Sequence, residues 1–116
     1  MIINPNTGRP YAKNYFRDYA RGKPCLVRIA AECGHACASQ ETTVLCHLTM
    51  SGLKGVSMKL NDLLGAWGCY TCHGILDGAI TPRGSIPSAN IKQWHHDGVA
   101  RTLDRLVKDG VLAYEL

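Results

Sequence analysis

Cys69 and Cys72, set two residues apart in Cys69-Tyr70-Thr71-Cys72-His73, constrain this chain more than any other feature. Two thiolates at that spacing reach one tetrahedral metal without strain, and a second pair is needed to close a structural site. Cys25 and Cys33 supply it, flanking a stretch of strand-like composition, although the gap between them is longer than a usual knuckle. Cys37 competes for the Cys33 position, since Cys33-Gly34-His35-Ala36-Cys37 also reads as a metal turn. Cys46 reads as a small buried hydrophobe. The expected site is therefore zinc held by Cys25, Cys33, Cys69 and Cys72, clamping an N-terminal strand to a short helix.

Six cysteines in 116 residues also suit disulfides, so the compartment matters. Met1-Ile2-Ile3-Asn4-Pro5 turns polar at once, with no basic region leading into an apolar stretch, and no signal peptide is expected. No apolar run approaches membrane-spanning length. These features predict a soluble, cytoplasmic protein whose cysteine pairs bind metal. The same pentapeptide is a c-type haem attachment pattern, but haem would require export and would leave the other cysteines unexplained. A redox dithiol would need a βαβ context that the pattern around Cys69 lacks.

The chain is long enough for one domain with one modest core. Residues 1–30 carry Arg9, Lys13, Arg17, Arg21, Lys23 and Arg28 against the single acid Asp18, so this segment is +5 and the remainder −1. Such asymmetry points to a polyanion, most simply nucleic acid. Pro10 to Arg21 reads as a helix ended by Gly22. Arg9, Lys13, Arg17 and Arg21 form one row, with Tyr11, Tyr15 and Tyr19 roughly 200° around from it. The tyrosines would dock on the core while the basic row, with Lys23, meets phosphates. The expected organisation is a basic N-terminal arm, 1–22, followed by a zinc-binding domain, 23–116.

Along the rest of the chain, 25–30 and 42–48 have strand composition and 51–59 reads as a turn rich in Gly and Ser. Leu63 to Trp67 is an apolar run, and Cys69 to Asp77 is a short helix ended by Gly78. A long helix is expected from about Asn90 to Asp109, with Val99, Leu103 and Leu106 on its core face and Gly98 as a possible interruption. The fold class is thus α+β.

His73 follows the last expected zinc ligand, and Asp77 lies one turn on, on the same face. His47 sits in the second strand, and Asn61 and Asp62 precede the apolar run. A strand histidine opposed to a helix bearing His and Asp is suited to metal-assisted phosphodiester hydrolysis. One imidazole acts as general base on water while a divalent ion neutralises the scissile phosphate. Each histidine alone would more ordinarily be a structural group; their combination is what points to chemistry.

Several segments resemble the YbcO family of prophage-encoded nucleases: Arg21 to Ile29 with Cys33, Glu41 to His47, Lys59 to Leu64, Cys69 to Asp77, and Val99-Ala100-Arg101-Thr102. The likeness covers roughly residues 20–112. It implies a treble-clef zinc site and a ββα-metal active site of His-Asn-His (HNH) type, flanked here by N- and C-terminal helices. It implies Cys25, Cys33, Cys69 and Cys72 as ligands of structural zinc and His47 as the catalytic histidine. His73, with Asp62 and Asp77, would stand near a catalytic magnesium or manganese ion. The implied function is a DNA endonuclease in a bacterial host cell, acting on branched or single-stranded DNA, with a recombination protein as a further partner. The alternative is a zinc-stabilised nucleic-acid-binding module without catalysis.

Three departures from the pattern stand out. Cys46 occupies the position of the usual acid before the base histidine. Asn61 or Asp62 must replace the middle asparagine. The insertion around His35 and Cys37 lengthens the zinc loop, and the adjacent His95 and His96, pointing to different helix faces, have no role in the pattern.

Overall fold

The computed structural model describes residues 3–48 and 62–113. The turn expected at 51–59, together with Lys59, Leu60 and Asn61, lies outside these residues.

Asn4 and Arg9 close the first turn, with the Asn4 N–H donating to the Arg9 carbonyl at 2.8 Å and Ile3 bridging to Pro10. This differs from the expected helical start at Pro10. Asn14 adopts φ 64°, a left-handed conformation that asparagine tolerates, and α1 begins after it, at Tyr15–Ala20. Arg9 and Lys13 therefore precede the helix, and the basic residues do not share one helical stripe. Phe16 and Ala20 are buried, and Tyr11, Tyr15 and Tyr19 pack around them toward Trp67. The tyrosines dock on the core as expected.

Cys25 to Ala30 forms no strand. Leu26 and Val27 both donate their N–H to one acceptor, the Trp67 carbonyl, at 2.7 and 3.1 Å, and Arg28 at φ 56° ends the extended run. A ladder needs alternate, not successive, residues facing one neighbour. The chain then reverses through a 3-10 turn at Ala31–Cys33 and Gly34 at φ 77°.

Strand β1 (Val44–His47) pairs antiparallel with β2 (Gly65–Gly68), in the register Val44↔Gly68 to His47↔Gly65. A 3-10 turn at Asp62–Leu64 leads into β2. All of β2 is buried, and its small residues allow close approach: a Cβ on Gly68 would sit 2.7 Å from the Cys46 sulfur. Helix α2 (Tyr70–Asp77) follows directly and ends at Gly78, φ 81°, in the left-handed capping conformation.

Helix α3 (Ser88–Lys108) runs unbroken across β2, burying His95, Gly98, Val99, Thr102 and Leu106 on one face. Gly98 does not interrupt it. A Cβ there would lie 3.1 Å from the Val27 Cα and 3.2 Å from the Ala66 Cβ, so glycine lets the helix touch the chain beneath. Arg101 donates to the Leu26 and Val27 carbonyls, and the Trp67 N–H donates to the Thr102 hydroxyl, which donates to the Gly98 carbonyl. Through these bonds α3 holds the non-strand segment at 26–27 alongside β2.

Candidate functional site

The N-terminus of α2 presents two thiols by construction: Cys69 is the N-cap residue and Cys72 lies in the first turn. The Cys72 and Ala38 N–H groups donate to the Cys69 sulfur at 3.5 and 3.4 Å. Cys25, just before the Leu26–Val27 contact, and Cys37 complete a group whose four sulfurs all lie within 4.8 Å of one another. The Cys25–Cys72 and Cys37–Cys72 separations are 3.6 and 3.8 Å. A tetrahedral ion with bonds of about 2.3 Å to sulfur sets its ligands roughly 3.8 Å apart, so the donor set and its spacing fit a metal ion.

The electrostatics agree. Sharing a proton with Cys72 lowers the Cys25 thiol, and the same contact pushes Cys72 upward. Burial and then the Cys25 charge push Cys37 up to about 11. Crowded thiols resist ionising together, and a central cation removes that repulsion.

Cys33, expected as a ligand, is outside this group. It is fully buried, in the core cluster that also holds Val27, Ile29 and Ile75, and burial raises its thiol. The 3-10 turn and Gly34 point Cys33 inward and return the chain so that Cys37 takes the corner. His35 donates from Nε2 to the Thr81 carbonyl at 3.0 Å, and the Arg83 N–H donates to the Cys33 carbonyl at 2.8 Å, pinning this loop to the chain beyond α2. Cys46 is buried, as expected, and burial pushes its thiol up to about 12.

His47 closes β1 and faces the turn into β2, and its Nε2 lies 2.7 Å from Asp62 Oδ1. An ionised carboxylate only accepts, so Nε2 carries the proton and Nδ1 is left as the basic nitrogen. Arg17 Nε donates to the same Asp62 oxygen at 3.3 Å. On α2, His73 Nε2 lies 2.9 Å from Asp77 Oδ2, one turn apart and solvent-accessible. His95 donates from Nε2 to the Cys46 carbonyl at 2.8 Å, the residue before His47. Burial holds the His95 imidazole below its usual range, opposed in part by its hydrogen bond to the Cys46 carbonyl and by the charge of Asp77. His96 donates to the Lys92 carbonyl on the exposed face, so the adjacent histidines do point apart.

The remaining basic candidates lie at the surface. Arg9 and Lys13 are exposed, Arg21 stands 3.9 Å from Asp18, and Lys23 lies 4.2 Å above the Tyr19 ring. Arg17 alone reaches the His47 side. Sequence reasoning missed that placement and the contact from His95, because each joins residues more than forty positions apart with no local signature.

Residues 14–111 match the family described as "Putative nuclease YbcO". The chain belongs to the YbcO family. Proteins named "putative nuclease YbcO" from Escherichia coli K12 and from Enterobacteria phage 82 are each 33% identical to it over 96 residues, 83% of this chain and 94% of theirs. A solved structure, titled as a putative bacteriophage protein from Escherichia coli K-12, superposes with a TM-score of 0.61 at 30% identity, covering 83% of this chain and all of that one. The resemblance read from the cysteine and histidine motifs is thus shown. All the thiols, histidines and acids described above, and Arg17, fall within the YbcO match. No helix among the described residues is long and apolar enough to cross a membrane.

Proposed function

We propose that this YbcO-family protein is a divalent-metal-dependent DNA endonuclease of HNH type, with zinc in a purely structural role. The observation that carries it is His47, held through Nε2 by Asp62 at the end of a hairpin running directly into a helix bearing His73 and Asp77. A ββα unit with a restrained imidazole at the strand end is the arrangement such chemistry uses. The family name borne by the relatives supports the same substrate class.

His47 Nδ1 takes a proton from water as that water attacks phosphorus, the opposite P–O ester bond breaks, and the departing alkoxide takes a proton from bulk water. Asp62 keeps the ring in the correct tautomer and stabilises the imidazolium that forms. His73 and Asp77 would hold the magnesium or manganese ion, with the Asp77 carboxylate as the oxygen donor such ions favour. When bound, such an ion neutralises charge developing on the phosphate. Cys25, Cys37, Cys69 and Cys72 would hold the zinc, anchoring the N-terminus of α2. Arg9, Lys13, Arg21 and Lys23 would contact backbone phosphates, so affinity should fall steeply with salt.

Plasmid cleavage in magnesium or manganese tests this reading, comparing the native chain with His47→Ala. Loss of a general base costs about 10²- to 10⁴-fold, and equal cutting by both proteins would overturn the assignment. A second reading, a binding module without catalysis, is favoured by Cys46, a buried and neutral thiol where the HNH pattern places an acid. Tight DNA binding with no cutting under any divalent ion would select it.

A further inference from the structure

Arg17 is drawn from the basic N-terminal segment into the neighbourhood of His47. Helix α1 packs against β1 and against the turn that carries Asp62, and so forms a wall of the site and not a free arm. Arg17 spends only its Nε–H on Asp62; among the described residues both terminal nitrogens are without a partner. The side chain is 37% exposed, so those donors remain open to a ligand. Asp62 Oδ1 thus joins two groups, a histidine with a basic nitrogen left over and a guanidinium with a free fork.

We infer that Arg17 binds the phosphodiester that His47 attacks, its terminal nitrogens gripping two non-bridging oxygens while Nε stays on Asp62. This rests on the nuclease reading and deepens it by assigning a residue that touches the reacting group. The chemistry favours arginine here: a planar fork matches two phosphate oxygens, which a lysine ammonium does not. It also keeps its charge at every working pH. Bound in this way, Arg17 would place phosphorus beside the water that His47 activates and would oppose the charge that grows on the phosphoryl oxygens. Asp62 then has two opposed effects: it orients His47, and it competes with the phosphate for Arg17.

That competition makes the inference testable without catalysis. Binding of the dinucleotide d(TpT) is measured by calorimetry in the absence of divalent ions. Arg17→Gln is expected to weaken it about tenfold or more, and Lys108→Gln, an exposed side chain paired with Asp104 at the far end of α3, to leave it unchanged. Asp62→Asn is expected to tighten it beyond the charge-matched control Asp104→Asn, and adding Arg17→Gln to Asp62→Asn should abolish the gain. Unaltered binding by Arg17→Gln, or equal effects of the two Asp→Asn changes, would overturn the inference. In the cleavage assay Arg17→Gln should lower kcat by about 10²-fold or more, with Arg17→Lys recovering only part of the loss. Failure of the nuclease reading would show separately, as cutting indifferent to His47→Ala while the dinucleotide results stand.

Discussion

Cys33 is buried in the same apolar cluster as Val27, Ile29 and Ile75, whereas Cys37, four positions on, is an exposed residue whose sulfur lies 3.8 Å from that of Cys72. The two residues should respond differently to substitution. Cys37→Ser is expected to release the proposed zinc, read as loss of metal from the purified chain. Cys33→Ala should retain it and lose stability by about 1 kcal/mol, the usual scale for a small buried truncation. Zinc retained in Cys37→Ser and lost in Cys33→Ala would restore Cys33 to the ligand set. Both thiols were visible as candidates in the sequence, but which one faces the metal depends on the hand of the turn between them. Gly34, at φ 77°, is where that is settled. His73 and Asp77 were legible for the opposite reason, since their contact is a one-turn relation on a single helix.

Helix periodicity carried most of the information at the level of elements. Helices α2 and α3 lie close to where apolar spacing and the glycines after them place them, and β1 falls inside the expected 42–48 stretch. Two expectations differed. Helix α1 is shorter because Asn14 leaves the right-handed region, and 25–30 is not a strand because Leu26 and Val27 share one carbonyl acceptor. That carbonyl belongs to Trp67, forty positions away, so strand composition could not reveal it. Gly98 makes the same point about packing. By propensity it weakens α3, yet its missing Cβ is what allows contact with Val27 and Ala66. Gly98→Ala should therefore lower stability by about 1–3 kcal/mol through overpacking, measured by urea unfolding, although alanine is the better helix former. A gain in stability would show that α3 has room to move outward.

For the molecule as a whole, two separated stretches meet at the thiol group: the 25–37 loop and the start of α2, into which the β1–β2 hairpin leads. A bound ion there would tie the loop to the helix that carries His73 and Asp77. Chelation should thus lower the melting midpoint by about 10 °C or more, the shift that a loss of ~2–3 kcal/mol gives in a domain of this size. Replenished zinc should restore it, and a midpoint indifferent to chelator would remove the structural role. By itself the sequence determined the family, the Cys69-x-x-Cys72 pair, the short helix with its His73–Asp77 couple, and the α+β class. These rest on local spacing, where one helical turn or one motif brings the groups together. Only the tertiary structure decided that Cys37 completes the thiol group, that Asp62 holds His47, and that Arg17 leaves its basic row to join them. Each is a contact between distant segments, determined by how the hairpin, α1 and the 25–37 loop pack, and no periodicity in the chain encodes that packing.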